Sequence, residues 1–311
     1  MAVVYGACLA HAPTVFTPVE HWSELHRVLA HDVPQPAALV REDAEHLAAA
    51  RVRLDDALAE LTRGLREARP DLVVVVGDDQ DEVFGAHNQP NLAIFTGAAA
   101  AGSTSFSLLG QDPTDNVVTL PGSPEIAGRV VEHLLARAFT PATVAEIRAE
   151  GRRKVGLGHA FVRPFRWLGM AELGVPVLPV FLNAYHPPML DGVTCHQLGL
   201  ELYEVLDALS ERVAIVGSGG LSHDPLGPLA GWIDSGLDEW VLGELAAGRA
   251  HRLARLFGHD ATFYLGGTGE IRCWIVASAG FDGRPATVID YLPLIHSVTG
   301  LGFVHWPVAA A

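Results

Sequence analysis

Short, continuous apolar runs separated by amphipathic segments constrain this chain more than any other feature. Val3–Leu9, Leu72–Val76, Leu92–Phe95, Val175–Leu182 and Val213–Val216 are each four to eight residues long, and most are rich in β-branched side chains. They lack the polar alternation of a strand with one wet face, so they suit strands covered on both sides. Helical patterns lie between them. From Asp43 to Arg69, leucines 47, 54, 58, 61 and 65 share one face, with Glu, Asp and Arg on the other. Ser123-Pro124-Glu125 reads as an N-cap, a first-turn proline and a first-turn acid, and opens a helix with Ile126, Val130 and Leu134 on one stripe. Further helices are expected at Gln197–Ser210, beyond the breaker Tyr185-His186-Pro187-Pro188, and at Gly236–Leu256. Strands alternating with helices predict an α/β fold. The expected form is a single large layered domain over residues 1–311, its central sheet mostly parallel or mixed and flanked by helices.

Composition narrows the function classes. The balance of 36 Asp+Glu against 21 Lys+Arg leaves a net charge of -15 with no Lys/Arg-rich run, so nucleic acid is not an expected partner. No apolar stretch approaches the roughly 18 residues of a membrane span. The first residues carry no basic n-region and read as a strand rather than a signal peptide. Cys8, Cys195 and Cys273 form no CxxC pair and suit a reducing cytoplasm. Fifteen histidines, several beside glycine or at the ends of apolar runs, direct attention to metal or acid–base chemistry.

In open α/β sheets, functional groups collect where strands end. Five segments meet that condition: His11-Ala12-Pro13, Gly77-Asp78-Asp79-Gln80, a loop-like stretch Gly158-His159-Ala160-Phe161 after a basic helix end, Ser218-Gly219-Gly220-Leu221-Ser222-His223, and Gly266-Gly267-Thr268-Gly269-Glu270. Three histidines and one glutamate in such turns are what an oxygen-activating Fe(II) site can be built from, with two neutral ligands, one carboxylate and open positions. Each residue alone has a plainer reading. A strand-end histidine caps a turn, Glu270 can be a first-turn helix acid, and Asp78 and Asp79 suit Asx turns. The glycine-rich segment lacks the lysine and spacing of a phosphate loop. A hydrolase triad from Ser218, Ser222, His223 and Asp224 lacks a GxSxG elbow. His21, His26, His31, His46, His133, His251 and His259 are read as surface residues.

Taken jointly, the segments resemble the class III extradiol ring-cleavage dioxygenases, the family of the protocatechuate 4,5-dioxygenase β subunit. The resemblance runs in order through His11-Ala12-Pro13, VVGDDQDEVF ending at Phe84, GHAF from Gly158, VPVLPVFLNAYHPP, SGGLSH, GEIRCWIVA from Gly269 and Asp290-Tyr291-Leu292-Pro293. It implies a non-heme Fe(II) site and O2-dependent cleavage of a catechol-type ring beside its two hydroxyls, with a small aromatic diol and O2 as partners and a homodimer as assembly. His11 matches the first metal histidine and Glu270 the metal carboxylate. His159 and His223 match the active-site histidines acting on oxygen and substrate, with His223 as the general base. Gln80 stands where the family has its second metal histidine. An amide oxygen binds iron less firmly than imidazole and shifts preference toward harder ions such as Mn or Mg; His87 is an alternative ligand. Asn183, Tyr185 and His186 are expected at the substrate pocket. Arg163, Arg166 and Arg272 are candidates for a substrate carboxylate or for surface acids. The alternative is a non-catalytic or metal-dependent hydrolytic member of the same fold, altered at Gln80.

Overall fold

The apolar runs pair edge to edge in a computed structural model that describes residues 1–85, 87–147, 156–258 and 266–307. In chain order the strands are β1 (Val3–Leu9), β2 (Leu72–Asp78), β3 (Leu92–Phe95), β4 (Ala99–Ser103), β5 (Val117–Pro121), β6 (Ala142–Val144), β7 (Val177–Leu182), β8 (Val213–Ser218), β9 (Thr287–Leu294) and β10 (Thr299–Trp306). The helices are α1 (Pro13–Phe16), α2 (Trp22–Ala30), α3 (Ala44–Ala68), α4 (Pro124–Ala136), α5 (His159–Trp167), α6 (Met170–Leu173), α7 (Gly192–Asp207), α8 (Ser235–Ala246) and α9 (Ile271–Ser278). One eight-stranded sheet runs in the order β6-β3-β7-β2-β8-β1-β10-β9, and β4 and β5 form a separate antiparallel hairpin. The middle four strands, β7, β2, β8 and β1, are parallel. β3 runs antiparallel to β7 on one side, and β10 antiparallel to β1 on the other. The sheet is mixed around a parallel centre, as the strand pattern predicts.

The two faces of the sheet explain the unbroken apolar runs. Val73, Val75, Ala7, Leu9, Ala214 and Val216 pack with leucines of α3 and with Phe161 and Phe165 of α5. Their neighbours Val74, Val76, Cys8 and Ile215 turn the other way, against Leu198 and Leu202 of α7 and Trp274 and Ile275 of α9. Because side chains alternate across a strand, covering both faces buries every residue. Each fully buried Val or Leu contributes about 1.5–3 kcal/mol. The apolar run Ile271–Val276 belongs to α9, a helix buried on all sides beside the sheet.

Helix boundaries follow their caps. Asp43 accepts a hydrogen bond from the His46 amide at 2.9 Å and starts α3 where the leucine stripe predicts. Asp191 accepts from the Thr194 amide at 2.7 Å and starts α7 five residues before the expected Gln197. Ser123 is the N-cap of α4, but its side chain makes no capping bond. The expected helix Gly236–Leu256 is not continuous. α8 ends at Ala246, Gly248 turns the chain at φ +69°, and a 3-10 segment Ala250–Arg255 follows. His259 and the basic residues just before Gly156 lie outside the described residues. No helix among the described residues is long and apolar enough to cross a membrane.

The register brings the carboxyl ends of the parallel strands to one edge. Leu9 of β1 pairs with Ser218 of β8, and Asp78 of β2 with Leu182 of β7. The turns leaving these four strand ends carry the side chains of the site.

Candidate active site

His11 follows β1, Asp78 closes β2 with Gln80 just beyond, Tyr185 follows β7 and His223 follows β8. Two helix starts complete the ring. Gly158 is the N-cap of α5, so His159 is its first residue rather than part of a loop; Glu270 stands at the N-cap of α9. The plainer reading of Glu270 as a helix acid is therefore right about place. Its carboxylate, however, makes no capping bond to its own helix.

That carboxylate is the hub of the site. Glu270 Oε2 accepts the Gly220 amide at 2.6 Å and lies 3.4 Å from His11 Nε2. Its Oε1 accepts the Tyr185 hydroxyl at 2.6 Å and the Gln80 amide nitrogen at 3.1 Å, with His223 Nε2 at 3.3 Å. Asp78 approaches from the strand side. Its Oδ2 accepts from Gln80 Nε2 at 3.0 Å, while Oδ1, buried and without a hydrogen-bond partner, faces His11 Nε2 at 3.8 Å. His159 packs edge-on to His11, ring centroids 4.6 Å apart, and Glu82 Oε1 accepts both its Nδ1–H and its backbone amide.

Electrostatics follows from burial and these contacts. Burial pushes His11 down to about 3, which leaves its ring neutral with a lone pair to give. Burial alone would raise Glu270, but His223 and His11 beside it hold the carboxyl far below the usual range. Asp78 moves the opposite way: burial, then the charges of Glu270 and Glu82, raise it well above an ordinary aspartate. Burial works to lower His223, yet Glu270 and the Leu221 carbonyl raise it overall. Two buried carboxylates this close to a neutral imidazole are balanced best by a positive ion. The orphaned Asp78 Oδ1 supplies a free donor for it, and oxygen and imidazole donors suit Fe(II), Mn(II) and similar divalent ions. The residues present fit a metal. A second cluster, His133, Glu201 and Glu204, is partly exposed and already neutralised by Arg137 at 3.1 and 2.7 Å.

The glycines of the SGGLSH segment serve close approach rather than phosphate binding. A Cβ on Gly220 would stand 2.6 Å from the His223 ring, and one on Gly267 would be 2.1 Å from its Nε2. Only glycine lets that imidazole sit between the turn after β8 and the 3-10 segment that leads into α9.

Several expectations change. Ser218, Ser222, His223 and Asp224 form no relay with one another: Ser218 Oγ lies 3.0 Å from His11 Nδ1, Ser222 donates to Asp238, and His223 Nδ1 points at Leu221 O. Asp79, not Asp78, is the turn aspartate, accepting the Val83 and Phe84 amides at 2.8 and 3.1 Å. Among the described residues, each of the three arginines bonds to other protein groups. Arg163 donates to His11 O at 2.7 Å and lies over Phe106, and Arg166 donates to Thr104. Arg272 is buried, donates to Leu190 O and stacks on Phe257. Asn183 holds the turn after β7, accepting the His186 amide and donating to His186 O. That turn presents Tyr185 inward and leaves His186 partly exposed, 3.4 Å from Asp81. His87 packs beside Gly85 and does not join the cluster around Glu270. His26 and His133, read as surface residues, are half-buried and bonded to Gln35 and Glu201. Glu82 and Ser218, which orient His159 and His11, carry no signal of that role in the sequence.

Residues 26–300 match the family model described as the catalytic LigB subunit of aromatic ring-opening dioxygenase. The chain belongs to the LigB family. Among curated LigB relatives, a 2,3-dihydroxyphenylpropionate/2,3-dihydroxicinnamic acid 1,2-dioxygenase from Comamonas testosteroni is 28% identical over 193 residues, 61% of this chain and 55% of the relative. The enzyme of the same name from Klebsiella pneumoniae subsp. pneumoniae is 30% identical over 186 residues, 60% of this chain and 54% of the relative. That from Cupriavidus necator is 28% identical over 266 residues, 83% of this chain and 70% of the relative. In these alignments the chain spans about half the length of the first two. An uncharacterized protein from Escherichia coli K12 is similar in structure at a TM-score of 0.49 and 15% identity, over 80% of this chain and 91% of that one.

Proposed function

We propose that this LigB-family chain is a metal-dependent extradiol dioxygenase that opens a catechol-type ring with O2 beside the two hydroxyls. The observation that carries the reading is the convergence of His11, Asp78 and Glu270, with His159 and His223 flanking them, where the parallel strands end. The names of the relatives, dioxygenases of dihydroxylated aromatic acids, support the same reaction class.

In this reading His11 and Glu270 hold the cation, Fe(II) or alternatively Mn(II), and Gln80 stands beside it bridging the two carboxylates. When bound, the cation supplies a Lewis-acidic centre at which diol hydroxyls lose protons more readily and O2 can be engaged. The chain's residues do the rest. Leu221 O can only accept, so His223 Nδ1 carries a proton, and Nε2, 3.3 Å from Glu270 Oε1, is the nitrogen that would take up the hydroxyl proton as the base. Glu82 fixes the His159 tautomer in the same way, leaving Nε2 facing the site to bind and shuttle a proton at the substrate or oxygen. Tyr185 and His186 form a wall of the substrate pocket, and Asn183 fixes the turn that presents them.

The test is anaerobic loading with Fe(II) or Mn(II), then O2 uptake with a panel of diols including catechol and 2,3-dihydroxyphenylpropionate. O2 consumption matched to a ring-opened semialdehyde is expected. A metal-loaded protein that consumes no O2 with any diol sinks the proposal, and O2-independent hydrolysis at the same site would point to the hydrolytic alternative.

A further inference from the structure

We infer that Asp78, and not Gln80, is the third protein donor to the metal, so that the centre is built from one imidazole and two carboxylates. The inference rests on the reading of this cluster as a metal centre, and it concerns which side chains form it.

The atoms themselves make the assignment. His11 Nε2, one oxygen of Asp78 and one of Glu270 lie within 4.8 Å of one another. Asp78 Oδ1 is fully buried, has no hydrogen-bond partner and faces His11 Nε2. A buried carboxylate oxygen left unpaired carries a desolvation cost, so such an atom at a polar cluster calls for a partner. Glu270 Oε2 faces the same nitrogen at 3.4 Å. On the far side of the imidazole, His11 Nδ1 is 3.0 Å from Ser218 Oγ, the outer contact that orients a ligating ring through Nε2.

Gln80 does something different. Its amide nitrogen donates to Asp78 Oδ2 at 3.0 Å and to Glu270 Oε1 at 3.1 Å. An N–H group cannot ligate a cation. Turning the amide would set its oxygen against two carboxylate oxygens and the Tyr185 hydroxyl, and would lose both donor bonds. Gln80 therefore ties the two carboxylates together through one oxygen each. The other oxygens, Asp78 Oδ1 and Glu270 Oε2, are left turned toward His11. An imidazole in place of this glutamine has only one N–H to offer two acceptors. The glutamine and the neighbouring aspartate thus work as a pair, and two anionic oxygen donors match a hard divalent ion better than two imidazoles do.

Mn(II) binding is the direct test, read from the loss of the free-ion EPR signal during titration of the full chain. Asp78→Asn should weaken Mn(II) binding by about 100-fold or more. Gln80→Ala should weaken it less, by roughly the tenfold typical of losses one layer out. Circular dichroism checks the fold of each variant. Pulsed EPR of Mn(II)-loaded wild type needs no variant and should report a single coordinated imidazole. Retention of wild-type affinity in Asp78→Asn, or a two-imidazole spectrum, overturns the inference even if wild type consumes O2 with a diol. Loss of Mn(II) in Asp78→Asn from a protein that turns over no diol upholds the ligand set and removes the proposed function instead.

Discussion

His223 illustrates how a single ring is committed to one task. Its Nδ1–H is given to Leu221 O at 2.9 Å, its backbone is tied to Thr268, and glycines 220 and 267 crowd its two sides. Only Nε2 is left to act. His223→Gln should therefore keep metal content near wild type and lower kcat by roughly 10²–10⁴-fold, the usual worth of a positioned base. Metal loss in that variant, measured by elemental analysis, would make His223 a ligand. The same scale shows what a sequence can disclose. His11, His159, His223 and Glu270 are legible because each sits in a glycine- or proline-marked segment, His11 and His223 just after an apolar run and Glu270 just before one. Asp78 is not. It precedes an identical residue, and nothing in the letters tells that Asp79 spends its oxygens on the Val83 and Phe84 amides while Asp78 faces His11. Glu82 is equally silent, because its partner His159 is far along the chain and met only through the fold.

At the scale of elements, legibility follows unbroken apolar runs; β10 is fully buried, but its glycines and His305 break the run. β1 and β3 begin and end where their apolar runs do, because strands covered on both faces leave no polar position to blur the pattern. β9 is only partly buried, and its mixed pattern gives no run to read. Apolar spacing persists past Gly248 and predicts a helix as far as Leu256, but the positive φ that ends α8's direction is invisible to periodicity. The packing of α7 on α9 has the most bearing on the site, since Glu270 opens α9. Gly199 of α7 lies so close that a Cβ would stand 2.3 Å from Val276 O and 2.6 Å from Ala279 Cβ. Alanine in a helix interior gains up to about 1 kcal/mol over glycine, but overpacking costs about 1–3 kcal/mol. The obstacle here is backbone, which cannot swing aside, so the clash should win. Gly199→Ala should lower the Tm by a few degrees and weaken metal binding as α9 shifts. An unchanged or higher Tm would show that the two helices part without cost.

Over the whole molecule the net charge is -15, and the cluster where the strands end is itself acidic. Burial spreads opposing pH effects through the structure. Asp79 and Asp238 are pushed up to about 6 by burial, so the folded chain holds their protons more tightly and gains stability as pH falls toward 3.8. His305 acts in the other direction. His305 of β10 sits between the sheet and α3, with Nδ1 3.3 Å from the Tyr5 hydroxyl and Nε2 3.8 Å from Glu60. Burial lowers its pKa from 6.5, and the Glu60 charge opposes this without reversing it. The unfolded chain therefore binds a proton that the folded chain refuses, and stability present above pH 6.5 is lost as pH falls below that value. Because Asp79 and Asp238 pull the other way, the total slope is a poor test and a difference between two proteins is a good one. His305→Gln keeps a polar group beside Tyr5 but cannot titrate. Its urea midpoint should lie below that of wild type at about pH 7.5, and the gap should narrow steadily toward about pH 5.5. A constant gap would mean that His305 titrates alike in the folded and unfolded chain, and a gap that widens toward low pH would mean that Glu60 holds it charged in the folded protein.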